Sequence, residues 1–178
     1  MKKFILALVA VVVLIGSLFF STYNGLVAAN ENVTAQWSQV ENQLQRRNDL
    51  IPNLVSTVKG YASHEEKVFR DVSDARSRLA GAKTVAEASQ ANGELGNALS
   101  RLLAISEAYP ELKANTNFIR LQDELAGTEN RIAVARRDYN AAAQQFNTKI
   151  KSFPTNVLAG MMGFGSRDYF KADEGAQK

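Results

Sequence analysis

The stretch from Val33 to Leu79, VTAQWSQVENQLQRRNDLIPNLVSTVKGYASHEEKVFRDVSDARSRL, decides how the rest of this chain is read. Apolar or aromatic residues recur there at Val33, Trp37, Val40, Leu44, Ile51, Leu54, Val58, Tyr61, Val68, Val72, Ala75 and Leu79. The steps alternate between four and three once Arg47 and Glu65 fill the two polar seats, which is the heptad seam of a coiled-coil-like helix. Across 47 residues such a helix extends about 70 Å if unbroken. Pro52 is expected to kink it, because proline lacks a backbone donor and crowds the carbonyl four residues back. Gly60 is expected to loosen it.

Downstream, Gly81-Ala82-Lys83-Thr84 reads as a turn, and Thr84 with Glu87 has the spacing of a capping box that opens a second helix. Leu95, Leu99, Leu102 and Ile105 form its apolar face, and Tyr109-Pro110 ends it. A third helix is expected from about Glu111 to Phe153, carried by Phe118, Leu121, Leu125, Ile132, Ala135, Tyr139, Ala142 and Phe146, with Thr128 as a polar seat. Pro154 closes it. No stretch alternates with period two for long enough to suggest a sheet. The fold class is therefore all-α, with an N-terminal transmembrane helix followed by an elongated antiparallel bundle of long helices.

Upstream, residues Phe4 to Phe20 read FILALVAVVVLIGSLFF, 17 residues without a charge. They make roughly 25 Å of helix, and the following STYNGLVAA extends it past the ~30 Å hydrocarbon core. Val27-Ala28-Ala29 would suit a signal-peptide cleavage site, but the apolar run is longer than a signal core and the amphipathic pattern follows without a break. An uncleaved anchor is expected. Lys2 and Lys3 favour a cytoplasmic N-terminus and an extracytoplasmic bulk, as expected of a single-pass protein of an inner (plasma) membrane. The organisation is thus an anchor over 1–29, a helical bundle over 30–153, and an apolar, glycine-rich tail with a polar end over 154–178. In that tail Val157, Leu158, Met161, Phe164 and Phe170 are expected to fold back over the bundle's end, or else to meet the membrane or a neighbouring subunit.

The chain has 178 residues and a formal net charge of +3. Setting aside Lys2 and Lys3, its 21 Lys and Arg fall to 19 against 18 Asp and Glu, so no nucleic-acid-binding stripe is expected. With no cysteine, thiol catalysis, disulfide scaffolds and Cys-based metal sites are excluded, and a single histidine leaves little for His-based ones. His64-Glu65-Glu66 begins like a zincin motif, but position 68 is valine where the second histidine would stand. Gly160, Gly163 and Gly165 match neither a dinucleotide fingerprint nor a P-loop. Glu65-Glu66 and Asp123-Glu124 are sequence neighbours that point to different helix faces. No catalytic residue, metal, cofactor or small-molecule substrate is expected.

More informative is the polar cluster around Pro52: Gln43, Gln45, Arg46, Arg47, Asn48, Asp49 and Asn53. Glu107, Asp123, Glu124, Glu129, Asn130 and Arg131 on later helices are candidates to face it. Arg47 occupies a seam position, so a carboxylate is expected beside it. The cluster reads either as an internal network that sets helix register or as an interaction surface built from Arg46, Arg47, Asp49 and Asn53. Gly25 and Ala29, four residues apart, would let anchor helices approach closely. Together with Trp37, Met161, Met162 and Phe164 they are the candidate contacts with the membrane or with a second copy.

The pattern resembles the LemA family. The resemblance is carried by YNGLV at Tyr23–Val27, AQWSQVENQLQRRNDLIPNLVSTVKGYASHE at Ala35–Glu65, EAYPELKANTNF at Glu107–Phe118, and LQDELAGTENRIAVARRDYN at Leu121–Asn140. The FP and GF elements near the end add to it. It spans nearly the whole chain, and RRNDLIPNLV and TENRI are its most specific blocks. It implies a single-pass bacterial membrane protein with a soluble bundle of long helices, no established catalytic activity and no known cofactor. A magnetosome-associated relative implies a link to membrane organisation. Two functions are therefore expected: a homo-oligomeric scaffold that shapes the cell-envelope bilayer, or an adaptor that presents a helix surface to an envelope protease or other membrane partner.

Overall fold

A computed structural model describes residues 2–171, and no strand occurs among them. Six helices follow in order: α1 (Lys2–Lys59), α2 (Glu66–Gly81), α3 (Val85–Ile105), α4 (Pro110–Lys113), α5 (Thr116–Lys151) and α6 (Thr155–Met161), with a 3-10 turn at Ser106–Ala108. They form two compact units. One contains the described residues up to Gln36 together with Asn140–Arg167, and the other contains Trp37–Tyr139 and the described residues from Asp168 on.

In the second unit the seam forms the core. Its residues Val40, Leu44, Ile51, Leu54, Val58, Val72, Ala75 and Leu79 are buried, with Ala62 and Phe69 in place of the exposed Tyr61 and the half-buried Val68, against Leu95, Leu99 and Leu102 of α3 and Phe118, Leu121, Leu125, Ile132 and Tyr139 of α5. The long helix of the sequence reading is, however, two helices. The chain leaves α1 at Gly60, turns through Ala62, and restarts at Glu66 with Glu65 as the residue before the helix. Glu65 is thus an end residue and not a seam seat. The low helix propensity of Gly60 and of Ser63 outweighs the continuing heptad rhythm.

The Thr84 capping box forms as expected. Thr84 Oγ1 accepts from the Glu87 amide at 3.1 Å, while the Glu87 carboxylate accepts from the Lys83 and Thr84 amides. These amide donors hold the Glu87 carboxyl below its ordinary value. α2 and α3 then run antiparallel, with Arg78–Glu94 at 2.8 Å and Arg101–Asp71 at 3.3 Å across them. Hydrogen bonding from Arg78 lowers the Glu94 pKa. Pairs this exposed contribute at most about 1 kcal/mol each. The third helix also starts later than its pattern suggests. α4 is one turn begun by Pro110, and Asn115 then caps α5 by accepting from the Phe118 amide at 3.0 Å. Opposed direction of α1 and α5 is set by Thr57 with Asn117 at one end and Trp37 with Tyr139 at the other.

α1 stays helical through Pro52. Proline cannot donate to the carbonyl of Asn48, four residues back, and Asn48 is buried. That carbonyl accepts instead from Arg76 Nε of α2 at 3.2 Å. The helix defect thereby becomes a tie to a neighbouring helix. Arg76→Met should cost about 1–3 kcal/mol by orphaning the carbonyl, and Pro52→Ala, which restores a backbone donor, should recover most of that loss. A thermal-unfolding double-mutant cycle showing additive effects would contradict this pairing.

Candidate functional site

One turn of α1 gathers the buried polar chemistry of the second unit. Arg47 is 6% exposed. Its Nη1 donates to Asn92 Oδ1 of α3 at 2.7 Å and lies 2.9 Å from Glu129 Oε2 of α5. Gly96, one turn beyond Asn92, lies beside the guanidinium, where a Cβ would stand at ordinary contact distance, 3.5 Å from Arg47 Nη2. Asn48 follows with its carbonyl on Arg76. A single turn of α1 is therefore linked to α2, α3 and α5. Gln43 Oε1, Asn48 Oδ1 and Asn92 Nδ2 are buried around it and have no hydrogen-bond partner among the described residues.

Of the six residues that sequence reading offered opposite this turn, Glu129 meets Arg47, whereas Glu107 pairs with Lys113 at 2.6 Å and Asp123 and Asn130 are exposed. Asn92 and Arg76 were missed. Asn92 lies on the same face as Leu95 and Leu99, where an apolar pattern hides it, and Arg76 reads as an ordinary surface cation. Burial removes Arg47 from the proposed interaction surface. Arg46, Asp49 and Asn53 remain exposed, with Asp49 accepting from Gln45 Nε2 at 2.8 Å.

The other candidates fall in separate places. Trp37 is half-buried, with its ring centroid 5.3 Å from Tyr139 and 6.2 Å from Phe170. Phe170 is buried beneath the Arg136 guanidinium, 4.9 Å from the ring centroid. The tail is held there by backbone contacts: Tyr139 donates to the Asp168 carbonyl at 2.7 Å, and Ser89 and Arg136 donate to that of Lys171.

In the first unit Arg167 makes a comparable clamp. Its backbone amide and carbonyl pair with the Asn147 side chain at 2.8 and 2.9 Å, and its guanidinium donates twice to Asn30 Oδ1. Phe164 is half-buried against Phe146, and Gly163, at φ +73°, lets Phe164 N–H reach the Ala159 carbonyl and close α6. Met162, Gly25 and Ala29 are half-buried, whereas Val157 and Met161 are exposed and so depart from the fold-back expectation. His64 is exposed. The described residues hold no group of His, Asp and Glu arranged to bind a metal ion.

The pair Arg47–Glu129 is asymmetric, because the carboxylate side chain is 45% exposed while the guanidinium is nearly enclosed. Removing Glu129 leaves a buried charge short of a partner, whereas removing Arg47 leaves a carboxylate that water can reach but orphans the buried Asn92 Oδ1. Glu129→Ala should therefore destabilise by about 1–3 kcal/mol, while Arg47→Met combined with Asn92→Leu, which leaves no buried polar group behind, should be the milder change. Denaturant unfolding of the two variants checks the order, and equal losses would refute it.

The LemA family model matches residues 36–178. Two magnetosome proteins of Paramagnetospirillum magneticum, MamQ 1 and MamQ 2, are each 31% identical over 196 residues, covering 94% of this chain and 71% of their own. Protein LemA of Metamycoplasma hominis is 24% identical over 152 residues, which is 85% of this chain and 69% of that protein. A match over most of the chain, including the Arg47 turn and its three partner helices, places this protein in the LemA family.

Proposed function

We propose that this chain is a non-enzymatic, single-pass membrane scaffold that self-associates and organises or remodels the cell-envelope membrane. The observation that carries this reading is the N-terminal part of α1. Its most apolar 18-residue window has a mean hydropathy of 2.8, and none of that window is buried by the rest of the chain. A surface of that kind is stable in hydrocarbon and not in water. Lys2 and Lys3 set the N-terminus in the cytoplasm by the positive-inside bias. Similarity to magnetosome proteins supports the same reading, and membership of the LemA family supports a role without catalysis.

Full-length protein extracted in mild detergent should elute as a closed, symmetric particle whose light-scattering mass is a large multiple of the 19.5 kDa protomer. A monodisperse monomer, in detergent and in reconstituted membranes alike, would overturn self-association.

A second reading is an adaptor for an envelope protease or another membrane partner. It is favoured by the exposure of Arg46, Asp49 and Asn53 on the turn whose other residues hold the bundle together. Reversing charge with Arg46→Glu and Asp49→Lys should abolish crosslinked partner recovery while changing stability by no more than about 0.5 kcal/mol. Undiminished recovery would remove this surface from consideration.

A further inference from the structure

We propose that the corner between α5 and α6 is a lipid contact, with Phe153, Val157 and Met161 in the membrane interface and Lys149 and Lys151 against anionic headgroups. The inference rests on the reading of Phe4–Phe20 as a membrane span and adds a second membrane-facing element to the same unit. Three observations lead to it.

The first is exposure. Phe153 is 85% exposed, Val157 55% and Met161 77%, each four residues from the next. On α6 that spacing turns Val157 and Met161 to one side, while Ala159 is buried and Leu158 and Met162 are half-buried on the other. The helix is thus packed by one face and presents bare apolar side chains on the opposite one. Such a patch is costly in water and stable at a lipid boundary.

The second is level. Arg167 joins Asn30 of α1 to Asn147 of α5. From Asn147, α5 runs on for four residues to Lys151, about 6 Å toward the apolar run. Leu26 of α1 is 1% exposed, so covering chain reaches at least that far along α1, within about 9 Å of Phe20. Phe153, two residues beyond the end of α5, falls at the height where the hydrocarbon gives way to headgroups. Tyr23, 39% exposed on α1, suits the same aromatic belt.

The third is charge. Lys149 and Lys151 are exposed in the last turn of α5. Lysines at that height extend their stems along the apolar boundary and bring their ammonium groups to lipid phosphates.

The test uses full-length protein in vesicles containing phosphatidylglycerol, carrying an environment-sensitive fluorophore on a single introduced cysteine. Three variants serve: Leu8→Cys in the span, Met161→Cys on α6, and Ser73→Cys on the exposed side of α2. Lipids brominated deep in the acyl chain should quench the label at position 8, lipids brominated near the headgroup should quench it at 161, and iodide in the water should quench it at 73. Lys149→Gln with Lys151→Gln should lower the ratio of inserted to free label at 161 by about fivefold per cation, an effect lost in pure phosphatidylcholine. A label at 161 open to iodide while that at 8 is in lipid would overturn the corner contact and leave the span standing. A label at 8 open to iodide would overturn both. A label at 161 shielded from iodide and brominated lipid alike would assign the corner to a second copy of the chain and overturn the lipid contact.

Discussion

A nearly enclosed guanidinium on a long helix is the constraint around which the larger unit is arranged. Arg47 cannot be deprotonated, and leaving its charge unpartnered would cost several kcal/mol. Asn92 on α3 and Glu129 on α5 supply the partners. A slip of one helical turn in either helix would remove a partner while leaving the leucine and alanine faces nearly as well packed. The polar turn therefore fixes a register that the apolar seam leaves loosely specified.

Pro52 belongs to the same device. A proline within a helix is a loss wherever the freed carbonyl is buried with no other donor. Here the carbonyl of Asn48 points to α2 and receives Arg76, so α2 is tied to the turn that already holds α3 and α5. The block RRNDLIPNLV thus has a structural reason for its composition: one arginine inside, one outside, an asparagine whose carbonyl is freed, and the proline that frees it. The exposed neighbours Arg46 and Asp49 are left for solvent or for a partner.

The sequence showed the fold class because amphipathic periodicity reports burial directly. Val33, Val40, Leu44, Ile51, Leu54, Val58, Val72 and Leu79 were read as core from spacing alone, and all are buried. Spacing is blind to helix ends, however. The break at Gly60–Glu65 lies inside a heptad count that reads as unbroken, although burial there shifts by one residue to Ala62 and Phe69, and the Asn115 cap lies inside an expected helix. Glu129 could be anticipated because a buried arginine demands an anion. Asn92 and Arg76 could not, because nothing in a one-dimensional pattern distinguishes an asparagine or arginine aimed at another helix from one aimed at water. In the tail, Phe170 finds an aromatic and cationic seat between Trp37 and Arg136, whereas Val157 and Met161 have the same apolar character and no such seat.

That contrast bears on what the two units do. Where apolar residues meet partners of this chain, polar side chains clamp them: Tyr139, Ser89 and Arg136 on the tail backbone, and Asn147 on Arg167. Where they do not, along Phe4–Phe20 and at Phe153, Val157 and Met161, the chain leaves large side chains bare and offers no clamp among its described residues. Within a water-soluble domain both groups would be liabilities for aggregation. Both occur in the unit that contains the membrane-length helix, and the larger unit holds the compact polar register. The two units thus differ in how they treat apolar surface: one leaves it bare along a membrane-length helix and at the corner after α5, and the other closes its core with its own helices.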